Sequence, residues 1–340
     1  MEPNPTQVAR QAGLRYITDE EPGIRRETCG RGFTYFDVNG NRIGDRTKRQ
    51  YLKSLSIPPS WRNVWICPIE NGYLQATGRD AKGRKQYRYH PIWRKLRNQA
   101  KFSRMLVFGE SLPTIRQITN EHLCLNGLPR KKVLALVVQL LESTLIRIGN
   151  AEYAQSNNSY GLTTLRTRHI NIEGKRIEFN FVGKSGVKHS LEIEDKRLAN
   201  VIKRCYEIPG YSVFQYVDEE GQRQNVDSGE VNDYLKEISG EDFTAKDLRT
   251  WAGTVLTAKE LGHRFVTQSE VPQKGHITDA IKAVAKQLGN RPATCRKYYV
   301  HPAIPKAYLQ GDFSSLVAEI ASEIEHIEPH EHIVLKLLSA

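Results

Sequence analysis

Across residues 130–148 apolar side chains recur at helical spacing, with Val133, Leu134, Val137, Leu140, Leu141, Thr144 and Leu145 on one stripe. Residues 92–108 are amphipathic and basic, and 114–123 follow with the same period, so both are expected to be helices. Before residue 90 the pattern is different. Residues 33–38 form a β-rich run into Asn39-Gly40, a hairpin turn signal, and return through 41–43. Further strands are expected at 64–69, 73–77 and 84–89, separated by Glu70-Asn71-Gly72 and by a loop over 78–83. A second β stretch interrupts the helices at 165–172, 176–182 and 187–193, with Gly183-Lys184-Ser185-Gly186 as its last turn. Helices resume at 196–206, 230–238, 245–261, 277–288 and about 314–326, and the polar first twenty residues read as a frayed arm. The fold class is therefore α+β. A small β-rich N-terminal domain is expected over residues 1–90, and a larger, mainly α-helical domain with a three-stranded antiparallel sheet over 91–340.

With 340 residues, each of two domains can bury its own core. No apolar run approaches the ~20 residues that cross a bilayer, so no membrane partner is expected. The first residues lack the basic-then-apolar layout of a signal peptide. Five scattered cysteines suit reduced thiols and an intracellular, cytoplasmic setting. The net charge of +12 points to a polyanionic partner, because basic surface binds phosphate backbones by releasing counterions. Residues 1–110 hold 21 Lys and Arg against 10 Asp and Glu, so most of that excess sits in the first third. The last thirty residues are acidic, with Asp312, Glu319, Glu323, Glu325, Glu328 and Glu331, and suit DNA poorly.

Cutting a nucleic-acid strand without a metal needs a hydroxyl nucleophile and guanidinium groups to meet the charge that develops on the phosphate. A further donor and a cation that protonates the departing sugar oxygen complete the set. The chain offers these groups in order. Arg147 closes the apolar helix in Leu145-Ile146-Arg147-Ile148, and Lys184 stands at the tip of Gly183-Lys184-Ser185-Gly186. Arg249 lies near a helix start in Lys246-Asp247-Leu248-Arg249-Thr250-Trp251. Asn290 follows Leu288-Gly289, and Tyr299 stands nine residues later in Lys297-Tyr298-Tyr299-Val300-His301-Pro302. Taken singly, Arg147 reads as a solvated helix end, Lys184 as an exposed hairpin lysine and Arg249 as packing near Trp251. Tyr298 is the neighbouring alternative to Tyr299.

Together with Ser159-Tyr160-Gly161-Leu162-Thr163-Thr164-Leu165-Arg166 and with 78–89 in the first domain, this set resembles the bacterial and poxvirus-like branch of type IB DNA topoisomerases. The resemblance implies that Tyr299 forms a 3′-phosphotyrosyl bond and that Arg147 and Arg249 clamp the non-bridging oxygens. It implies that Lys184, assisted by Lys246, protonates the leaving 5′-oxygen. Asn290 stands where poxvirus members place a histidine; its amide can donate to a phosphate oxygen but cannot shuttle protons. Arg84, Lys85, Gln86, Tyr87 and Tyr89 are implied contacts to double-stranded DNA, and alternation puts Tyr87 and Tyr89 on one face. The first domain would then act as a clamp and the second as the catalytic domain of a monomer. No phosphate-binding Gly-x-x-x-x-Gly-Lys-Ser/Thr loop or acidic metal cluster is apparent, so no nucleotide, metal or other cofactor is expected. The rivals are a tyrosine recombinase, which would show His-x-x-Arg where Lys246-x-x-Arg249 stands, and a non-catalytic DNA-binding protein.

Overall fold

The structure, a computed structural model, describes residues 4–30, 32–81, 83–268, 272–313 and 327–339. The helix predicted at about 314–326 lies outside the described residues. The chain divides into two compact units, Met1–Lys101 and Phe102–Ala340, and its fold class is the expected α+β.

The first unit is built on a five-stranded antiparallel sheet. Its strands are β1 (Ile24–Cys29), β2 (Gly32–Phe36), β3 (Arg62–Ile66), β4 (Leu74–Arg79) and β5 (Lys85–Tyr89), in the order β2-β1-β3-β4-β5. Ile24, Tyr35, Leu52, Val64, Ile66 and Ala76 form its core. Strand β1 escaped the sequence reading because it looks charged. Arg26 nevertheless points inward, since its guanidinium donates to the carbonyls of Ile57 at 3.0 Å, Pro58 at 2.9 Å and Trp61 at 2.9 Å. These bonds satisfy a polar group that burial would otherwise penalise. The Asn39-Gly40 turn returns through a bridge between Phe36 and Arg42, with Asp37 N–H donating to the Asn41 carbonyl and Ile43 N–H to that of Tyr35, while β2 pairs along its length with β1.

From Asn4 onward the expected frayed arm is instead ordered. Asn4 caps helix α1 (Pro5–Gln11), Pro5 occupies its first turn, and Ala9 and Leu14 pack with Trp93. A second helix, α2 (Arg46–Ser54), was also missed; it buries a single side chain, Leu52.

Helix α3 runs unbroken from Pro91 to Leu123 and contains the division between the units. The two helices expected at 92–108 and 114–123 are thus one, despite Pro113. Phe108, Leu112 and Ile115 are all buried, so packing on both sides of the proline holds the helix together. Gly109 leaves room for Trp251 there: a Cβ on it would lie 2.3 Å from the indole Cη2.

Helix α4 (Arg130–Thr144) is the central rod of the second unit and is buried almost all round from Val133 to Leu141. It ends four residues before the expected 148, because Leu145 adopts a left-handed conformation at φ 55°. Arg147 therefore lies beyond the helix and does not close it. After the short helix α5 (Ala151–Asn157), two 3₁₀ turns replace the expected start of a strand at 165. The sheet then follows as β6 (Ile170–Glu173), β7 (Arg176–Val182) and β8 (Lys188–Glu194), in antiparallel order β6-β7-β8. Helices α6 (Lys196–Tyr206), α7 (Ser228–Ser239), α8 (Ala245–Gln268) and α9 (Lys274–Gln287) stand close to their predicted positions. A small two-stranded sheet, β9 (Gln215–Val217) with β10 (Arg223–Asn225), and the short helices α10 (Pro292–Tyr298) and α11 (Ala303–Gln310) were not foreseen.

The last described helix, Pro329–Ser339, packs part of the acidic C-terminal stretch inward, burying Glu331, Ile333 and Val334. Glu331 is buried and takes a forked contact from Arg116, at 2.7 and 2.8 Å, with the Trp251 indole N–H donating at 2.8 Å. Glu142 accepts from the same guanidinium at 2.7 Å. Burial alone would raise the Glu331 carboxyl, but Arg116 and Trp251 hold it below the usual range. Glu142 goes the other way, pushed up chiefly by burial. Replacing Glu331 by Ala leaves Arg116 with one acid and orphans the indole N–H. A loss of about 3 kcal/mol is expected in urea unfolding, against little change for Glu328→Ala.

Candidate active site

Arg249 sits on the first turns of α8 with 4% of its surface exposed. Its guanidinium donates to the carbonyl of Leu145 and, at 2.8 Å, to that of Leu288. Leu145 caps the C-terminus of α4, and Leu288 caps that of α9. One cation thus occupies the negative ends of two helix dipoles and satisfies carbonyls that lack partners within their helices.

Arg147 and Asn290 are joined directly. The Arg147 Nη2 donates to Oδ1 of Asn290 and, at 3.2 Å, to the carbonyl of Gly289. The backbone of Arg147 is fixed by the Ser159–Arg166 motif: Leu162 N–H donates to the Arg147 carbonyl at 2.8 Å and Thr163 N–H to that of Ile148 at 2.8 Å. Gly161 permits this approach, since a Cβ there would lie 2.5 Å from the Arg147 carbonyl oxygen. The same motif reaches the other side of the site, where Tyr160 N–H donates to the Val182 carbonyl at the end of β7.

Tyr299 caps α10 and is half-buried, its ring centroid 5.6 Å from the Arg249 guanidinium carbon. Its backbone rests on α8, where Gly253 leaves only 2.5 Å for a Cβ before the Tyr299 carbonyl. Thr254 completes the seat by donating to that carbonyl at 3.3 Å and accepting from His301 N–H at 3.0 Å. Tyr298, by contrast, is 36% exposed and lies under Lys297 at 5.2 Å.

Lys184 is exposed at the hairpin tip between β7 and β8, where Ser185 and Gly186 take left-handed conformations. Lys246 is exposed one turn before Arg249 on α8. The contacts therefore bring Arg147, Arg249, Asn290 and Tyr299 together directly. His189, which sequence reading missed, packs against the glycines preceding Lys184 and Asn290. Thr254 was missed as well; only its place on the α8 stripe offered a signal.

The electrostatics of this cluster are one-sided. Among the described residues neither Arg147 nor Arg249 forms an ion pair with a carboxylate. Burial, and then the nearness of Arg147, pulls Arg249 down to about 10. Burial likewise lowers Arg147. The Arg249 Nε and the Asn290 Nδ2 are buried donors without an acceptor among the described residues. Two cations and two unanswered N–H groups beside a phenol make a receptor for an anion. A cavity of about 700 Å³ lies elsewhere, lined by Arg116, Glu142, Trp251 and Glu331, and Arg147, Lys184, Arg249, Asn290 and Tyr299 take no part in it. Among the described residues no cluster of three His, Cys, Asp or Glu is placed to hold a metal ion, and no helix is long and apolar enough to cross a membrane.

In the first unit, Tyr87 and Tyr89 share a face of edge strand β5, their rings parallel with centroids 6.0 Å apart. Lys85 pairs with Asp19 at 2.7 Å, and Asp80 holds both Arg84, at 2.6 Å, and Gln86, at 2.9 Å. The five predicted contact residues thus form one strip whose polar members are held by two acids.

Residues 90–315 match the family described as eukaryotic DNA topoisomerase I, catalytic core, and residues 32–80 match the bacterial DNA topoisomerase IB N-terminal domain. The chain belongs to the type IB DNA topoisomerases. It is 33% identical to DNA topoisomerase 1B of Acanthamoeba polyphaga mimivirus over 290 residues, covering 82% of this chain and 85% of the viral protein. It is 24% identical to DNA topoisomerase 1B of vaccinia virus over 284 residues, covering 81% and 86%. With DNA topoisomerase 1 of rabbit fibroma virus the identity is 25% over 304 residues, covering 84% and 88%.

The unbalanced positive charge of this topoisomerase's site has a consequence that needs no DNA to detect. Inorganic phosphate at tens of millimolar is expected to raise the thermal unfolding midpoint more than chloride of equal ionic strength. Arg147→Ala should remove that difference; an equal rise in both proteins would show that phosphate acts elsewhere.

Proposed function

We propose that this topoisomerase relaxes supercoiled duplex DNA by cutting one strand through a 3′-phosphotyrosyl intermediate, letting the free end rotate, and resealing it. The observation that carries the reading is the pair of guanidinium groups, unmatched by protein acids, next to the Tyr299 side chain. A phosphodiester supplies the missing anion, and its charge grows as a fifth oxygen approaches phosphorus.

In the cleavage step the Tyr299 oxygen bonds to phosphorus and releases its proton to solvent, while the bond from phosphorus to the 5′-oxygen breaks. Arg147 and Arg249 hold the non-bridging oxygens, and the amide of Asn290 donates to one of them. Its Oδ1 is engaged by Arg147, which leaves the Nδ2 for the phosphate and gives the residue a second duty in orienting the arginine. Lys184 delivers a proton to the departing 5′-oxygen, with Lys246 assisting from α8. The ester preserves the bond energy, so resealing requires no nucleotide, and the guanidinium pair supplies the charge that a metal would otherwise bring. One chain provides every group, so the enzyme acts as a monomer.

Residues 1–90 act as a clamp domain on the duplex and residues 91–340 as the catalytic domain. Arg84, Lys85, Gln86, Tyr87 and Tyr89 contact the groove and backbone, exchanging Asp19 and Asp80 for DNA.

Supercoiled plasmid incubated with the protein in EDTA, without ATP, is expected to relax. Tyr299→Phe should still bind DNA but give neither relaxation nor a trapped covalent adduct, whereas Tyr298→Phe should keep both. Activity in Tyr299→Phe would reassign the nucleophile. In the clamp, Asp19→Asn frees Lys85 and should tighten DNA binding severalfold at low salt, a gain that fades as salt screens the phosphates. Unchanged affinity at every salt concentration would remove Lys85 from the interface.

A further inference from the structure

One imidazole bridges the two sides of this site. His189, the second residue of β8, lies directly across from Phe181 on β7, and their rings stack with centroids 4.8 Å apart and 8° between planes. Its ring lies against Gly183, the residue before Lys184: a Cβ there would meet Nε2 at 2.7 Å and Cδ2 at 2.8 Å. The ring also lies against Gly289, the residue before Asn290, where a Cβ would meet Cε1 at 2.9 Å. Gly289 has φ +58°, so this turn depends on a glycine twice, for its backbone and for the space the ring takes. The Arg147 Nη1 borders the same spot, 3.7 Å from that Cβ position. Burial and then Arg147 and Arg249 push the His189 imidazole below its usual range, so the wedge is an uncharged ring near neutral pH.

We infer that His189 is a positioning residue for proton delivery to the leaving oxygen: its ring, filling the space between Gly183 and Gly289, sets the Lys184 hairpin against the Asn290 turn. This rests on the reading of Lys184 as the leaving-group acid. The hairpin needs such a support, because Lys184, Ser185 and Gly186 are exposed and lie beyond the strand pairing that ends at Val182 with Lys188. A displacement of about 1 Å at the ammonium would cost roughly 100-fold in rate. Arg249 is held separately, by the carbonyls of Leu145 and Leu288, and the Arg147 backbone is also fixed away from the ring by the Leu162 N–H. Losing the ring should therefore affect proton delivery more than phosphate stabilisation.

Replacing the bridging 5′-oxygen by sulfur tests this. A thiol ionises near about 8.5, far below an alcohol, so a departing sulfur needs little help from an acid. Single-turnover cleavage is measured on oxygen and sulfur duplexes at a site mapped on plasmid DNA. His189→Ala is expected to slow oxygen cleavage by about 10- to 100-fold and to come within about fivefold of the wild-type rate on sulfur. Its DNA affinity should be unchanged. Lys184→Ala should show the same recovery, Arg147→Ala should not, and His189→Phe, which retains a stacked ring, should stay close to wild type on both substrates. A His189→Ala defect that persists on sulfur, or no defect on oxygen, overturns the inference while leaving Lys184 in place. Failure of sulfur to rescue Lys184→Ala would overturn the reading of Lys184 and this inference with it. If His189→Ala does not fold, a His189→Phe protein slowed on oxygen and not rescued by sulfur overturns the inference equally.

Discussion

The second unit is organised around a repulsion. Arg147 and Arg249 are drawn out of water near one another, and among the described residues no carboxylate stands against either. The cost of desolvating such groups amounts to several kcal/mol unless other dipoles answer them. Here the answer is backbone. The carbonyls of Leu145 and Leu288, each at a helix C-terminus, take the Arg249 guanidinium, and Gly289 with the Asn290 side chain takes Arg147. These neutral partners hold the guanidinium groups in place while leaving their charge uncancelled. An acid in the same place would have cancelled that charge.

Much of the local backbone follows from that arrangement. Helix α4 stops at Leu145 because a left-handed residue turns its last carbonyl toward Arg249 and releases Arg147 into an irregular segment. That segment is held by the Gly161 approach and by the hydrogen bonds from Leu162 and Thr163. Helix α8 serves as a spine: Arg249 faces the anion site, Gly253 and Thr254 seat the Tyr299 backbone, and Trp251 reaches back to Glu331. The acids of this unit are used away from the chemistry. Glu142 and Glu331 share Arg116 in a buried network that ties α3, α4 and the last described helix together, and α8 joins it through Trp251. Cations answered by acids and cations answered only by neutral groups thus stand within one core.

The first unit handles charge differently. Lys85, Arg84 and Gln86 lie at an exposed sheet edge, where water and two aspartates satisfy them in the free protein. Groups of this kind are paired weakly and exchange partners readily. The stacked Tyr87 and Tyr89 add a rigid apolar surface that needs little ordering on contact.

Periodicity and residue chemistry by themselves determined the α+β class, the strand pattern of 176–193 and the helices at 196–206 and 245–261, and they singled out the candidate site residues in order. Each of these rests on local information: a two- or 3.6-residue period, a glycine turn, or a side-chain type at a characteristic spacing. Only the tertiary structure decided the rest. Strand β1 carries two arginines and a glutamate in six residues and becomes a central strand only because three distant carbonyls satisfy Arg26. Pro113 remains within a helix because Phe108, Leu112 and Ile115 bury on either side of it. Arg147 leaves its helix, and His189 enters the site, because residues a hundred or more positions away provide a carbonyl for one and part of a glycine gap for the other. Local pattern records what a segment can bury; which groups meet inside is settled only when separate elements compete for the same space.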